Sequence, residues 1–345
     1  MAEPDRRSLI KKVEELRGSS VICYLTSLRQ NVAGVIAGDQ VRVFFDHLML
    51  LPARPVKKLD IFLASNGGDS VVPWRLVALF REFAKHVSVL IPYRAYSAAT
   101  LLALGADEIV MHPFAELGPI DPTVSNEFNP ANQQGVRVGI SVEDVKAYVN
   151  FIKSTVGIHH EDELVQAIRA LTDKVHPLAL GNVERFLSQS RLVARRLLGT
   201  HMSTADPHVI DEIVENMASK LYFHGHPINR KEAKQDLKLK VTTDLQPDLE
   251  SGMWELYRSY EKEFENDSVF DPAALLWALR PPAPPATPPM PEIEAELLHV
   301  VIESENLCSR HRTKHRYTQL QLAPGQIAVR DDVLSQGWHH SPVPK

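Results

Sequence analysis

A serine that follows a strand and opens a helix stands beside free backbone N–H groups and the positive end of the helix dipole. Ser97, in Tyr93-Arg-Ala-Tyr-Ser97-Ala-Ala-Thr100, has that setting. One strand earlier, Ser65-Asn66-Gly67-Gly68 follows an apolar run. Glycine there leaves a substrate's path open because no Cβ intrudes. Together the two segments suit attack by a hydroxyl, with the N–H groups of Gly68 and Ala98 binding the oxyanion that forms. The plainer role for Ser97 is a small residue that lets a helix pack closely on a strand.

Alternating elements must hold these segments. Leu9, Ile10, Val13 and Leu16 share one face of a helix over Arg6–Arg17. Val21–Thr26, Gln40–Phe45 and Leu59–Ala64 read as strands, the last ending in the glycine turn. Asp69 or Ser70 caps the next helix, with Pro73 in its first turn and Val72, Leu76, Leu79, Phe80 and Phe83 as its buried stripe. Val87–Pro92 reads as a strand, Ala98–Leu104 as a helix and Glu108–Met111 as a strand. Strands and helices in alternation with short connections predict an α/β fold with a mainly parallel sheet flanked by helices. From about Ser141 to Lys220 the pattern is helical, with Ser141 and Asn182 as caps and a helix from Val183 to Leu198 closed by Gly199. Arg230–Leu239 reads as a short helix and Leu239–Thr243 as a last strand.

The composition narrows the class. With 44% hydrophobic and 23% charged residues, the 345-residue chain has the make-up of a globular protein. A net charge of -5 offers no broad basic field for nucleic acid. Two distant cysteines, Cys23 and Cys308, form no CxxC pair, which fits a reducing compartment. The charged N-terminal pattern is not a secretory leader, and apolar stretches are of strand length. The expected setting is the cytoplasm, with no membrane span.

Leu63-Ala-Ser-Asn-Gly-Gly-Asp69, the run Ser97-Ala-Ala-Thr-Leu-Leu-Ala-Leu-Gly-Ala-Asp-Glu-Ile-Val-Met111 and Leu117-Gly-Pro-Ile-Asp-Pro122 resemble the serine dehydrogenase proteinase family. This family is a branch of the ClpP/crotonase superfamily, similar to signal peptide peptidase A. The resemblance runs from about Val21 to Val241, through Lys174-Val-His-Pro-Leu-Ala-Leu-Gly181 and His224-Gly-His-Pro-Ile-Asn-Arg-Lys-Glu-Ala233. It implies a ClpP/crotonase-like fold with stacked ββα units and a serine endopeptidase acting on a peptide or unfolded protein. By position, it implies Ser97 as nucleophile and an oxyanion hole from the Gly67-Gly68 turn and Ala98. It also implies a homo-oligomer, a trimer or hexamer.

Superfamily members carry either a histidine or a later lysine as general base. Where the ClpP type has its histidine, this chain has Gly118-Pro-Ile-Asp121, and His112 comes only 15 residues after Ser97. A Ser-His-Asp triad is therefore disfavoured. Lys146, 49 residues after Ser97 in Ser141-Val-Glu-Asp-Val-Lys-Ala-Tyr-Val-Asn150, is the expected base of a Ser-Lys dyad, with Lys153 in reserve. Such a lysine works only when neutral, so desolvation or a nearby positive charge must lower its pKa from ~10.4. Asp121 and His176 are supporting candidates; an Asp-Pro step is also a routine turn, and His176 at a helix start would bind a backbone carbonyl. Among 15 histidines, His159-His160 and His224-x-His226 lack metal-ligand spacing with a carboxylate, so neither metal nor cofactor is expected.

The expected division is an N-terminal helix (1–20), the peptidase domain (21–245), a helical extension (246–279), a Pro-rich linker (280–292) and a small β-hairpin-like tail (293–345). In the tail, Leu297–Glu303 pairs with Tyr317–Leu322 across a basic connection, Arg310–Arg316. Two other functions stay open: a crotonase-like acyl-CoA hydrolase or isomerase using the same oxyanion hole, and a non-catalytic scaffold whose tail recruits a protein partner.

Overall fold

The computed structural model describes residues 5–120, 123–124, 127–132, 135, 137–203, 206–220, 226–279, 291–323 and 326–342. Helix α1 (Arg6–Arg17) buries Leu9, Ile10 and Val13 and ends on Gly18, whose left-handed backbone donates its N–H to Glu14 O. Strand β1 (Ser20–Thr26) follows. The segment expected as a strand from Gln40 is instead helix α2 (Gln40–Leu48). Val41 and Val43 imitate strand alternation, but Gln40, Val43, Phe44, His47 and Leu48 are the buried set, and their spacing is helical.

The α/β alternation then runs through β2 (Leu59–Ala64), α3 (Val72–Phe83), β3 (Val87–Ile91), β4 (Arg94–Ala95), α4 (Ala98–Leu104), β5 (Glu108–Met111) and β6 (Glu116–Leu117). Asp69 does not cap α3 itself; its carboxylate accepts from Val71 N–H just before the helix, at 2.9 Å. Two short strands, β7 (Thr123–Val124) and β8 (Ile140–Ser141), precede α5 (Val142–Asn150), which continues into a π-helical turn, Phe151–Val156. Helices α6 (Glu161–Thr172), α7 (Pro177–Gly199) and α8 (Pro207–Glu215) come next. Helix α7 starts six residues before the expected Val183, because Pro177 occupies its first turn and His176 caps it. Asn182 lies inside that helix rather than at its cap, and Thr200 rather than Gly199 ends it.

Strand β9 (Ile228–Asn229), α9 (Arg230–Gln235), β10 (Val241–Thr242), α10 (Pro247–Phe264) and α11 (Pro272–Ala278) complete the helical part. The remaining chain is not a small hairpin. It forms β11 (Glu292–Ser304), β12 (Leu307–Ala323) and β13 (Gln326–Pro342), and Arg310–Arg316 lies within β12. Long basic side chains hid that strand's alternation; Lys314 and Arg316 pair with Glu294, and Arg312 with Glu296.

The sheet order is β10-β5-β3-β2-β1-β11-β12-β13. Its first five strands are parallel and the last three antiparallel. Side chains alternate across it. Ile22, Tyr24, Ile61, Leu63 and Val89 pack with the helices α2, α3, α4 and α7. Val21, Cys23, Phe62 and Leu90 pack with α1 and α10 on the opposite face. The glycine turn and Ser97 both lie beyond the C-terminal ends of parallel strands, where open α/β sheets leave a crevice.

Candidate active site

Ser97 is the residue before α4, with φ 53° and ψ -115°. That backbone region is sparsely populated for a side chain other than glycine and costs about 1–3 kcal/mol. A serine at this position usually caps its helix. Here the Ser97 hydroxyl makes no capping bond, and the residue is half-buried. The strained backbone thus comes with a hydroxyl left out of the helix cap, a combination that fits the sharp strand-to-helix turn of a nucleophile elbow.

The glycine turn abuts it. Gly67 and Gly68 have φ of +99° and +153°, which a side chain would resist. A Cβ on Gly67 would stand 2.5 Å from Tyr96 O, 2.9 Å from Ala98 N and 2.9 Å from Ser97 Cβ. Beyond Gly68 runs the segment through Ile36: Ile36 N–H donates to Gly67 O at 2.8 Å, and Asp69 N–H donates to Ile36 O at 2.9 Å. With both flanking groups turned to Ile36, the Gly68 N–H faces the other way. Ala98 opens α4, so its N–H has no acceptor within the helix.

Side chains that sequence reasoning missed fix this geometry. Buried Thr26 donates its hydroxyl to Ser65 Oγ at 2.8 Å, and Ser65 Oγ accepts the Gly67 N–H at 3.0 Å. Ser65 and Ala95 form a parallel bridge in which Tyr96 N–H donates to Ser65 O and Ser65 N–H to Arg94 O, both at 3.0 Å. Thr100 Oγ1 lies 2.7 Å from Ala95 O and 2.8 Å from Gly118 O, tying the Leu117-Gly118 stretch to the serine turn. Gly118 carries no Cβ because the Tyr96 ring would lie 2.8 Å from it. Tyr96 donates its hydroxyl to Glu116 at 2.6 Å; burial, then Glu116, hold that phenol well above its ordinary pKa. A strand-end serine and threonine carry no sequence signal of this role, since both look like ordinary turn residues.

The other candidates lie on other elements. Lys146 is half-buried on α5, which packs on α7 and β8. Lys153 is exposed on the π-helical turn. His176 is exposed; its Nδ1 accepts the Leu178 N–H at 3.2 Å, so it binds a backbone donor rather than the expected carbonyl, and its ring stacks on Phe128. Asp121 lies outside the described residues. His112 stacks on Trp254 of α10 at 5.4 Å, on the face of the sheet opposite α4, and burial lowers its pKa. Among the described residues, no helix is long and apolar enough to cross a membrane.

Residues 2–137 match the family model of ClpP-like SDH-type serine proteinases. The match takes in Gly67, Gly68, Ser97 and Ala98 and ends before Lys146, Lys153 and His176. An uncharacterised protein of Methanocaldococcus jannaschii is 23% identical over 265 residues, 68% of this chain and 85% of its own length. A second uncharacterised protein of that organism is 29% identical over 124 residues, 34% of this chain and 42% of its own length. Among solved structures, a mutant of the 1510-N membrane-bound stomatin-specific protease has a TM-score of 0.36 and 16% identity, covering 68% of this chain and 84% of that one. Another mutant of it, in complex with a substrate peptide, has a TM-score of 0.38 and 15% identity, covering 64% and 78%. At such scores the family match, not the structural likeness, bears on chemistry.

Proposed function

We infer that this chain, whose residues 2–137 match the family model of ClpP-like SDH-type serine proteinases, cleaves peptide bonds through an acyl-enzyme on Ser97. The observation that carries this reading is the Ser97 backbone: a strained serine whose hydroxyl does not cap the helix it precedes. The peptide lies extended beside the Gly-Gly turn, as an added strand. Ser97 Oγ attacks the scissile carbonyl while its proton passes to the amine of Lys146. The oxyanion takes hydrogen bonds from Gly68 N–H and Ala98 N–H. Collapse of the intermediate expels the amine, which receives that proton, and water then releases the acyl group by the same steps.

Support for Lys146 over Lys153 comes from placement: Lys146 is half-buried on α5, which packs on α7 and β8, whereas Lys153 is exposed on the π-helical turn. The exposed apolar side chains Phe151, Val156, Val165 and Ile168 favour a homo-oligomer that meets through this helical segment. A fluorophosphonate probe and an unfolded casein-like substrate test the reading. Wild type should be labelled and active, and Ser97→Ala neither. Labelling that survives Ser97→Ala would overturn it, and thioester hydrolysis without peptide cleavage would favour a crotonase-like enzyme.

A further inference from the structure

The C-terminal strands reach the glycine turn through one residue. His299 is the bulged residue of β11, where the pairing with β12 shifts between Leu298 and Val300. A bulge turns a carbonyl and a side chain out of the ladder. His299 O accepts the Ser27 N–H at 2.8 Å, and His299 Nδ1 lies 2.7 Å from Ala33 O. Both partners belong to the segment that ends at Ile36, whose backbone pairs with the Gly67-Gly68 turn. The fit is close: a Cβ on Gly34 would stand 2.3 Å from Ser27 N and 2.4 Å from His299 O.

We propose that His299 is a positioning residue for the Gly67-Gly68 turn, and that the chain His299–Thr313–His315–Asp331 makes its grip depend on one proton. The catalytic half of this proposal rests on Gly68 as an oxyanion donor.

The dependence follows from counting hydrogens. Four links connect Ala33 O, His299, Thr313 Oγ1, His315 and Asp331 Oδ1, at 2.7, 2.7, 2.8 and 2.6 Å. The two ends are a carbonyl and a carboxylate, which only accept. Each imidazole must therefore carry hydrogen on the Nδ1 that faces an end. With both rings neutral, the two inner links share the single Thr313 hydroxyl hydrogen, so one link fails. One added proton completes all four. Burial, His311 and His315 disfavour the charge on His299, against the pull of Ala33 O. His315 Nδ1 lies 2.6 Å from Asp331 Oδ1, and its ring stacks on Tyr317 at 5.5 Å.

Beside the chain, the His311 ring on β12 is 5.8 Å from that of His299, and His311 in turn lies near His339 on β13 and Asp39 on the chain before α2. Asp39 accepts the Trp338 indole N–H at 2.7 Å. A cavity of about 340 Å³, lined by Asp39, His299, His311 and Gln336, gives the ring solvent for proton exchange. Protonated, the chain has four links; deprotonated, three. The grip on the segment therefore loosens as pH rises.

Asp331→Asn supplies the decisive test. An amide N–H donates to His315 Nδ1, so all four links close with both rings neutral and the proton is no longer needed. Hydrogen exchange of peptides covering 27–40 and 63–71, corrected for intrinsic rate, is compared from about pH 5.5 to 8.5, a range bracketing an ordinary imidazole titration near ~6.5. Wild type should lose protection several-fold across this range, Asp331→Asn should hold it, and His299→Ala should be weakly protected throughout. In peptide hydrolysis, His299→Ala should lower kcat on the order of tenfold with KM little changed, because a donor is displaced rather than removed. His299→Gln, which keeps a donor and an acceptor, should restore most of it. An Asp331→Asn course that follows wild type, or wild-type protection in His299→Ala, overturns the proposal. If His299→Ala fails to fold, the Asp331→Asn comparison decides alone. Absence of Ser97-dependent hydrolysis in wild type sinks the peptidase reading instead, and the exchange data still judge the brace.

Discussion

Gly67 and Ser97 are packed so closely that a methyl group on the glycine would lie 2.9 Å from Ser97 Cβ and 2.5 Å from Tyr96 O. Two backbone obstacles and a φ of +99° leave no rotamer to relieve the clash. Gly67→Ala should therefore destabilise the fold by about 2–4 kcal/mol, combining left-handed strain with overpacking. Residual soluble protein should have lost hydrolysis by at least ~100-fold. Urea unfolding and single-turnover labelling check both parts; wild-type labelling would show that the turn does not need glycine.

Strain at Ser97 separates stability from activity. Ser97→Gly and Ser97→Ala should both be inert to fluorophosphonate. Glycine tolerates φ 53° and ψ -115°, whereas alanine keeps the strain. The glycine variant should be the more stable by about 1 kcal/mol, despite its freer unfolded chain. Thermal melts of the two variants decide it, and an alanine variant at least as stable would remove the argument for a strained nucleophile.

The two lysines differ in burial, and their variants should differ in rate. Lys146→Ala should reduce kcat for an unfolded protein substrate by at least ~100-fold, as loss of a general base does. Lys153→Ala, on an exposed turn, should remain within about twofold of wild type. Wild-type rates in Lys146→Ala would move the base elsewhere.

Glu14 links α1 to the first strand, accepting the Val21 N–H at 2.8 Å. Burial pushes its carboxyl up to about 7, against the Val21 bond and Lys11, while Glu305 and Asp60 push the same way as burial. The folded pKa lies above the unfolded value of ~4.3. The folded state therefore holds the proton more tightly, and stability falls as pH rises from about 4 to about 7. Glu14→Gln keeps the acceptor and removes the charge. It should match wild type near pH 4 and be more stable by about 1–2 kcal/mol near pH 8, a figure reduced for the carboxyl's partial solvent contact. Equal melts at both pH values would remove the buried-charge cost.

The C-terminal strands show where local pattern was a poor guide. Arg310, Arg312, Lys314 and Arg316 read as a basic connection, yet they alternate along β12 and pair with glutamates on α10 and β11. Gln40–Leu48 failed for the opposite reason: local alternation suited a strand, and only packing against β1 and α3 selected the helix. By contrast, β2, α3, β3, α4 and β5 were legible. Their apolar runs are bounded by glycine, proline or charged residues, and a buried parallel strand tolerates little but apolar side chains.

By itself the sequence determined the α/β order, the family resemblance and the two short segments holding Gly67, Gly68, Ser97 and Ala98. These depend on residue type within a few positions: left-handed glycines, a small-residue helix start and strand-length apolar runs. Tertiary structure alone decided that Ser65 and Thr26 anchor the glycine turn, that His112 faces Trp254, and that His299 reaches the segment paired with Gly68. Those contacts join residues up to 266 positions apart. Hydrogen bonds of that kind are set by strand register and a β-bulge, which no local pattern encodes.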